Sequence, residues 1–190
     1  MNSTQAQLSH IAFLVPSVAR AALVARELGF HAGPAQAWEG EGTLEVYVGQ
    51  DLQNGRLLLM EGAQEGAYNR AMKKRGPGLH HIAINVRDLE SYVRGISGSS
   101  WLLHPKSLES IKNQRTAYLA RPGIPTLIEV QEPKEIFDDP MFVQELALPF
   151  SDQHMQIVRA LGIRELVLSN DQSCWLTCDG RRFPASRLWT

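Results

Sequence analysis

Apolar and polar positions alternate in one six-residue phrase that the chain writes twice. His10-Ile11-Ala12-Phe13-Leu14-Val15 returns as His81-Ile82-Ala83-Ile84-Asn85-Val86, 71 residues later (81 − 10). Side chains of a strand point to opposite faces with period two. Ile11, Phe13 and Val15 therefore share one face, as do Ile82, Ile84 and Val86. The other face carries His10, Ala12 and Leu14, then His81, Ala83 and Asn85. Each phrase is followed by a helix-capping residue, Ser17 in the first copy and Asp88 in the second. Val18, Ala21, Ala22 and Ala25 then fall at i, i+3, i+4, i+7, and Leu89, Tyr92, Val93 and Ile96 repeat the spacing. Two copies of one strand–helix unit make an internal repeat.

The chain between and after these units continues the plan. The first helix is predicted over roughly 17–28, with Gly29 as its stop. Thr43 to Val48 alternates as a strand, Gln50 to Gly55 carries a turn, and Arg56 to Glu61 is another strand. Glu65 to Lys74 is a short helix or linker, closed by Gly76-Pro77-Gly78. In the second copy a helix at 88–96 precedes strands at Trp101–His104, Gln114–Ala120 and Thr126–Gln131. Beyond Pro133 the repeat ends. Helices are predicted at Met141–Leu148 and Gln153–Leu161, strands at Arg164–Ser169 and Cys174–Thr177, and a turn at Asp179-Gly180.

The predicted class is thus α+β. Two βαβββ modules, about 8–62 and 79–133, form a core over 1–135 whose sheets curl together into a cup. Residues 136–190 form an appended α+β layer that covers an edge or the mouth of the core. Its expected role is structural or in oligomerisation, and it shows no catalytic pattern.

Composition narrows the partners. The net charge of −1, with 21% charged and 44% apolar residues, argues against nucleic acid or a membrane recognised by bulk electrostatics. The clusters Lys73-Lys74-Arg75 and Arg181-Arg182 are short, suited to a solvated surface or a local phosphate. No apolar run reaches the roughly 18–20 residues of a membrane helix, and Met1 to Gln7 lacks the plan of a signal peptide. Cys174 and Cys178 would lie about 13 Å apart in one extended strand, too far for a disulfide. They read as reduced thiols, and the expected location is cytoplasmic.

Candidate chemistry rests on three positions. One histidine at a strand start is ordinarily solvated or hydrogen-bonded, but His10 and His81 occupy equivalent corners of equivalent units. Glu129 lies in mid-strand between apolar neighbours, unusual for an acid unless that face is exposed or a cation holds it. Glu129 shares with Leu127 and Gln131 the face on which the histidines lie.

These phrases, with Lys73-Lys74-Arg75-Gly76-Pro77-Gly78-Leu79-His80-His81-Ile82-Ala83, Ala117-Tyr118-Leu119 and Leu127-Ile128-Glu129-Val130-Gln131-Glu132, resemble the vicinal oxygen chelate superfamily. That superfamily includes glyoxalase I, extradiol dioxygenases and bleomycin-resistance proteins, and the local likeness is greatest to methylmalonyl-CoA epimerase. The resemblance covers about residues 8–133. It implies a glyoxalase-like cup holding a divalent metal ion (Co, Mn, Ni, Zn or Fe) through His10, His81 and Glu129. His80 would point to the helix side or to the sheet edge. The family's fourth ligand falls on Leu58 in one alignment and on Glu61 in another. Glu41, or alternatively Glu39, matches the family's acid–base glutamate after a one-residue shift, so Glu41 and Glu129 are the catalytic candidates.

Three functions follow from the resemblance. One is an isomerase or lyase acting on a small oxygen-chelating substrate such as an acyl thioester. The second is a non-haem iron ring-cleaving dioxygenase with a 2-His-1-Glu triad, in which Tyr118 lies near a tyrosine those enzymes keep. The third is a metal-free binding or resistance protein. The expected partners are a small-molecule substrate and a second copy of the chain in a homodimer.

Overall fold

A computed structural model describes residues 6–51, 53–136, 140–169 and 171–190. The first module runs β1 (Gln7–Leu14), α1 (Val18–Glu27), β2 (Gln36–Trp38), β3 (Thr43–Val48) and β4 (Arg56–Gly62). A linking helix α2 (Ala67–Arg75) leads to the second module. This comprises β5 (Gly78–Asn85), α3 (Leu89–Gly95), β6 (Leu102–Leu103), α4 (Ser107–Gln114), β7 (Thr116–Ala120) and β8 (Leu127–Gln131). The two modules join edge to edge in one eight-stranded sheet, ordered β2-β3-β4-β1-β5-β8-β7-β6. β1 and β5 meet antiparallel at its centre, and each runs parallel to the last strand of its own module.

The modules differ in one place. The second module carries α4, a helix absent from the repeated plan, after a β6 of only two residues. α4 ends at Arg115 in the left-handed region (φ 52°), and its Ser110 hydroxyl donates to the Thr116 carbonyl at 2.7 Å. The expected strand from Gln114 therefore starts at Thr116.

Alternation sorts the two faces as the sequence predicts. Ile11, Phe13 and Val15 pack with Ile82, Ile84, Ile128 and Val130 into the main core under α1 and α3. Ala12, Leu14, Leu58 and Met60 form a separate small cluster on the opposite, concave face. Both module helices are capped as predicted, the side chains of Ser17 and Asp88 accepting from backbone N–H groups of the first turn.

The remainder is β9 (Val143–Leu148), α5 (Asp152–Arg159), β10 (Leu166–Leu168), β11 (Trp175–Cys178) and β12 (Arg181–Pro184), then a 3-10 turn, Ala185–Leu188. The four strands form a second sheet, β10-β9-β11-β12. The helix expected at Met141–Leu148 is instead the strand β9. The segment pairs with β10 on one side and β11 on the other, so its backbone groups are satisfied as a strand inside the second sheet. Asp179-Gly180 makes the expected turn between β11 and β12.

This second sheet and α5 lie against the helix side of the modules, and their apolar residues belong to the same main core. Phe142 meets Phe30 edge to face, with centroids 5.2 Å apart, and Trp189 lies against Phe13 at 5.7 Å. The buried Tyr92 hydroxyl of α3 donates to the Leu161 carbonyl at 2.8 Å. The Trp101 indole N–H donates to Ile157 O at 3.1 Å. No described helix is long and apolar enough to cross a membrane. Cys174 and Cys178 are free thiols.

Candidate metal centre

Each central strand contains one extra residue just before its histidine. Pairing of β1 with β5 slips between Leu8 and His10 and again between Ala12 and Phe13, leaving Ser9 and His80 as the bulged residues. A bulge bends its strand and re-aims side chains. Here the two bulges turn His10 and His81 toward each other across the antiparallel pair, so that their Nε2 atoms lie 3.1 Å apart.

β8 supplies the third group. It runs parallel to β5, with Glu129 beside Ala83, and the Glu129 carboxylate lies 3.4 Å from His81 Nε2. The other carboxylate oxygen accepts from the Gln131 amide at 2.9 Å, which fixes its rotation. One donor atom from each of His10, His81 and Glu129 lies within 4.8 Å of the others. Donors about 3 Å apart span neighbouring positions around an ion with bonds of about 2.0–2.2 Å. These are the three residues the resemblance implied.

Electrostatics suits ligation. Burial, with a smaller contribution from the Arg56 guanidinium, lowers the pKa of His10 to about 4. Burial lowers His81 well below its usual value, helped by the neighbouring His10 and His80. Both rings are therefore neutral at pH 7, the form that binds metals. Burial raises the Glu129 carboxyl; the Gln131 hydrogen bond acts against this, while Glu41 and Glu45 add to it. Two neutral imidazoles and one carboxylate, their donor atoms within 4.8 Å of one another, are a set that fits a divalent ion.

Leu58 and Glu61 are placed without ambiguity. Leu58 pairs with Ala12, as Glu129 does with Ala83, and it packs in the apolar cluster of the concave face. Glu61 lies on the other side, accepting from Val18 N at 2.8 Å at the start of α1. Glu132 does the same for Leu89 N of α3 at 2.7 Å. The first module thus carries leucine where the second carries its carboxylate.

His80 departs from expectation. Its bulge brings it to the concave side, where its Nδ1 lies 3.0 Å from His81 Nδ1 and its ring lies 5.1 Å from that of Tyr68. Burial, then Arg75, lowers its pKa to about 4. Simple alternation fails here because one extra residue shifts everything before it by one position. With His81 Nε2 directed at the centre, its Nδ1 is free to share a proton with His80, a partner that orients the ring.

A cavity of about 120 Å³ opens beside the triad, lined by Glu41, Tyr68, His80, His81, His104, Lys106, Tyr118, Leu127 and Glu129. Glu41 is exposed at the mouth and accepts a short hydrogen bond from the Tyr68 hydroxyl. Among the lining residues, Tyr68, His104 and Lys106 were not expected. Tyr118 pairs with Glu129 across β7 and β8, as Tyr47 pairs with Leu58 across β3 and β4. Tyr47 meets His10 edge on, at 5.8 Å. Tyr47 and Tyr118 are separated by the same offset as His10 and His81, a sequence signal that the histidine repeat already contained. Burial pushes both phenols up to about 12.

No protein-family model matches the chain, and no curated protein matches it by sequence. Solved structures do. A hypothetical protein from Bacillus halodurans superposes with a TM-score of 0.57 at 21% identity, over 70% of this chain and 99% of that one. Methylmalonyl-CoA epimerase from Mycobacterium tuberculosis gives 0.54 at 18% identity, over 71% and 93%. The Streptomyces coelicolor methylmalonyl-CoA epimerase, in complex with 2-nitronate-propionyl-CoA, gives 0.52 at 18%, over 69% and 100%.

The fold is that of the vicinal oxygen chelate proteins.

Nearly the whole of each neighbour aligns with about seven-tenths of this chain, so the rest has no counterpart there. The glyoxalase-like cup is built within one chain, and its three ligand candidates come from β1, β5 and β8.

Proposed function

We propose that the protein is a divalent-metal-dependent isomerase or lyase of the epimerase type, acting on a small substrate that chelates through two oxygens, an acyl thioester among the candidates. The observation that supports this reading is the presence of a mouth carboxylate, Glu41, in the same cavity as His81 and Glu129. A divalent ion held by His10, His81 and Glu129 would act as a Lewis acid toward a chelated carbonyl and favour loss of the α-proton. Glu41 takes that proton, and the Tyr68 hydroxyl, donating to one of its oxygens, fixes the carboxylate's orientation. Tyr118 and Leu127 line the same cavity. Gln131 holds Glu129 and His80 holds His81, so the chain's contribution to the centre is a preset geometry.

One observation favours a second reading. Leu58 removes the fourth ligand and leaves a 2-His-1-carboxylate set, the donor pattern of non-haem iron oxygenases. The two readings part in one comparison. Metal-reconstituted protein incubated with acyl-CoA thioesters in deuterium oxide should exchange the α-proton, and Glu41→Gln should lower the rate by about 10²-fold or more. Oxygen consumption with catechols and no exchange would establish the dioxygenase in its place.

A further inference from the structure

A second pocket of about 200 Å³ lies at the end of the cup where β5 begins. One wall comes from the modules, through Leu14, Leu79 and Pro125. The facing wall comes from outside the modules, through Leu148, Phe150 and Cys174.

This cavity adjoins the metal centre. His80 lines it and also lines the triad's cavity, and His80 Nδ1 is 3.0 Å from the ligand candidate His81. Leu14 belongs to the apolar cluster of the concave face. Arg75 supplies the cavity's permanent positive charge, and its guanidinium is turned toward the Pro125 carbonyl at 3.5 Å. Burial pushes the Cys174 thiol up to about 12, so that wall is uncharged at neutral pH.

We infer that this cavity receives an aliphatic arm of the substrate, whose chelating head lies at His10, His81 and Glu129. The inference rests on the metal-dependent reading above and extends it. The segment after the modules then does more than cover the core; it sets which side arm the enzyme accepts. A hydrophilic arm would leave its polar groups without partners against these walls. An alkyl chain loses nothing there and gains about 0.8 kcal/mol for each methylene buried.

Alkyl hydroxamates chelate divalent ions through two oxygens and can be made with chains of any length. The full chain loaded with Co²⁺ is titrated calorimetrically with the straight-chain series from acetohydroxamate to octanohydroxamate. Affinity should rise about fourfold per methylene until the cavity is filled, then level off. Cys174→Phe, which fills the cavity, should flatten the series and leave acetohydroxamate affinity unchanged. Phe150→Ala, which widens it, should move the plateau to longer chains. If acetohydroxamate binds and Glu129→Ala abolishes that binding, but wild-type affinity does not rise with chain length, the arm site is wrong and the metal reading stands. A rise that neither Cys174→Phe nor Phe150→Ala alters would place the arm elsewhere and overturn the inference. Failure of acetohydroxamate to bind the Co²⁺-loaded protein overturns the metal reading and this inference with it.

Discussion

Leu58 and Glu129 occupy one position of two related modules: each pairs across a parallel strand junction with an alanine, Ala12 for Leu58 and Ala83 for Glu129. Both alanines lie two residues beyond the histidine of their strand. The two sides of the cup therefore differ in a single donor. That difference is open to experiment, because a carboxylate at position 58 would complete a four-ligand set.

Leu58→Glu should bind a divalent ion roughly tenfold or more tightly than wild type, since it adds an anionic ligand to an existing site. Without metal the same variant should be less stable, because Leu58 is buried among Ala12, Leu14 and Met60 and a lone carboxylate there is costly. Titration with Zn²⁺ and metal-free urea melts would measure both effects. Unchanged Zn²⁺ affinity in Leu58→Glu would show that position 58 does not face the centre.

Glu61 and Glu132 carry the opposite expectation. Each caps the first turn of a module helix, through Val18 N and Leu89 N, where an anion also meets the helix dipole. Glu61→Ala should cost about 1 kcal/mol of stability and leave metal binding intact. Metal loss in Glu61→Ala, measured by equilibrium dialysis, would place that carboxylate at the centre instead.

The metal-free protein should weaken as pH falls. His10 titrates at about 4 when folded, against 6.5 when unfolded, and His81 is shifted in the same direction. Between those values the unfolded chain binds protons that the folded chain refuses, so stability drops with acid by up to about 1.4 kcal/mol per pH unit for one such group. Above 6.5 both states are neutral and nothing is lost. Glu129 works in the opposite sense, because its raised pKa makes the folded state the better proton acceptor; two histidines should outweigh it. Urea midpoints of the metal-free protein at pH 7 and pH 5 give the comparison, with the lower midpoint expected at pH 5.

Phe142 tests whether the second sheet is part of one core. It is buried against Phe30 of the first module, and Phe142→Ala should cost about 3–5 kcal/mol. Unfolding should remain one transition by far- and near-ultraviolet circular dichroism. Two separate transitions, with only one of them shifted, would show that residues 143–184 fold independently of the modules.

Much of the cup was legible because its evidence is periodic. The repeat placed His10 and His81 on one face, and strand alternation placed Glu129 with them. The same offset distinguishes Leu58 from Glu61, although that choice needs the register of β4 against β1 to settle it. Other features rest on contacts that no periodicity records. Glu41 meets Tyr68 because a turn of the first module lies beside the linking helix. His80 reaches the cavity through a bulge, which shifts alternation by one residue at a place the sequence does not mark. Helix α4 interrupts the repeat with Ser, Lys, Asn and Gln around few apolar residues, too weak a stripe to compete with the strand pattern after it. In β9, Val143, Leu146 and Leu148 suit a helical stripe and a two-sided buried strand alike. Pairing with two neighbouring strands decides between them.

Cobalt titration of the metal-free protein tests the central claim most directly. The account predicts one Co²⁺ per chain, with visible ligand-field absorption that is lost in His10→Ala, His81→Ala and Glu129→Ala and preserved in Glu61→Ala. An unchanged Co²⁺ spectrum and affinity in Glu129→Ala would contradict it.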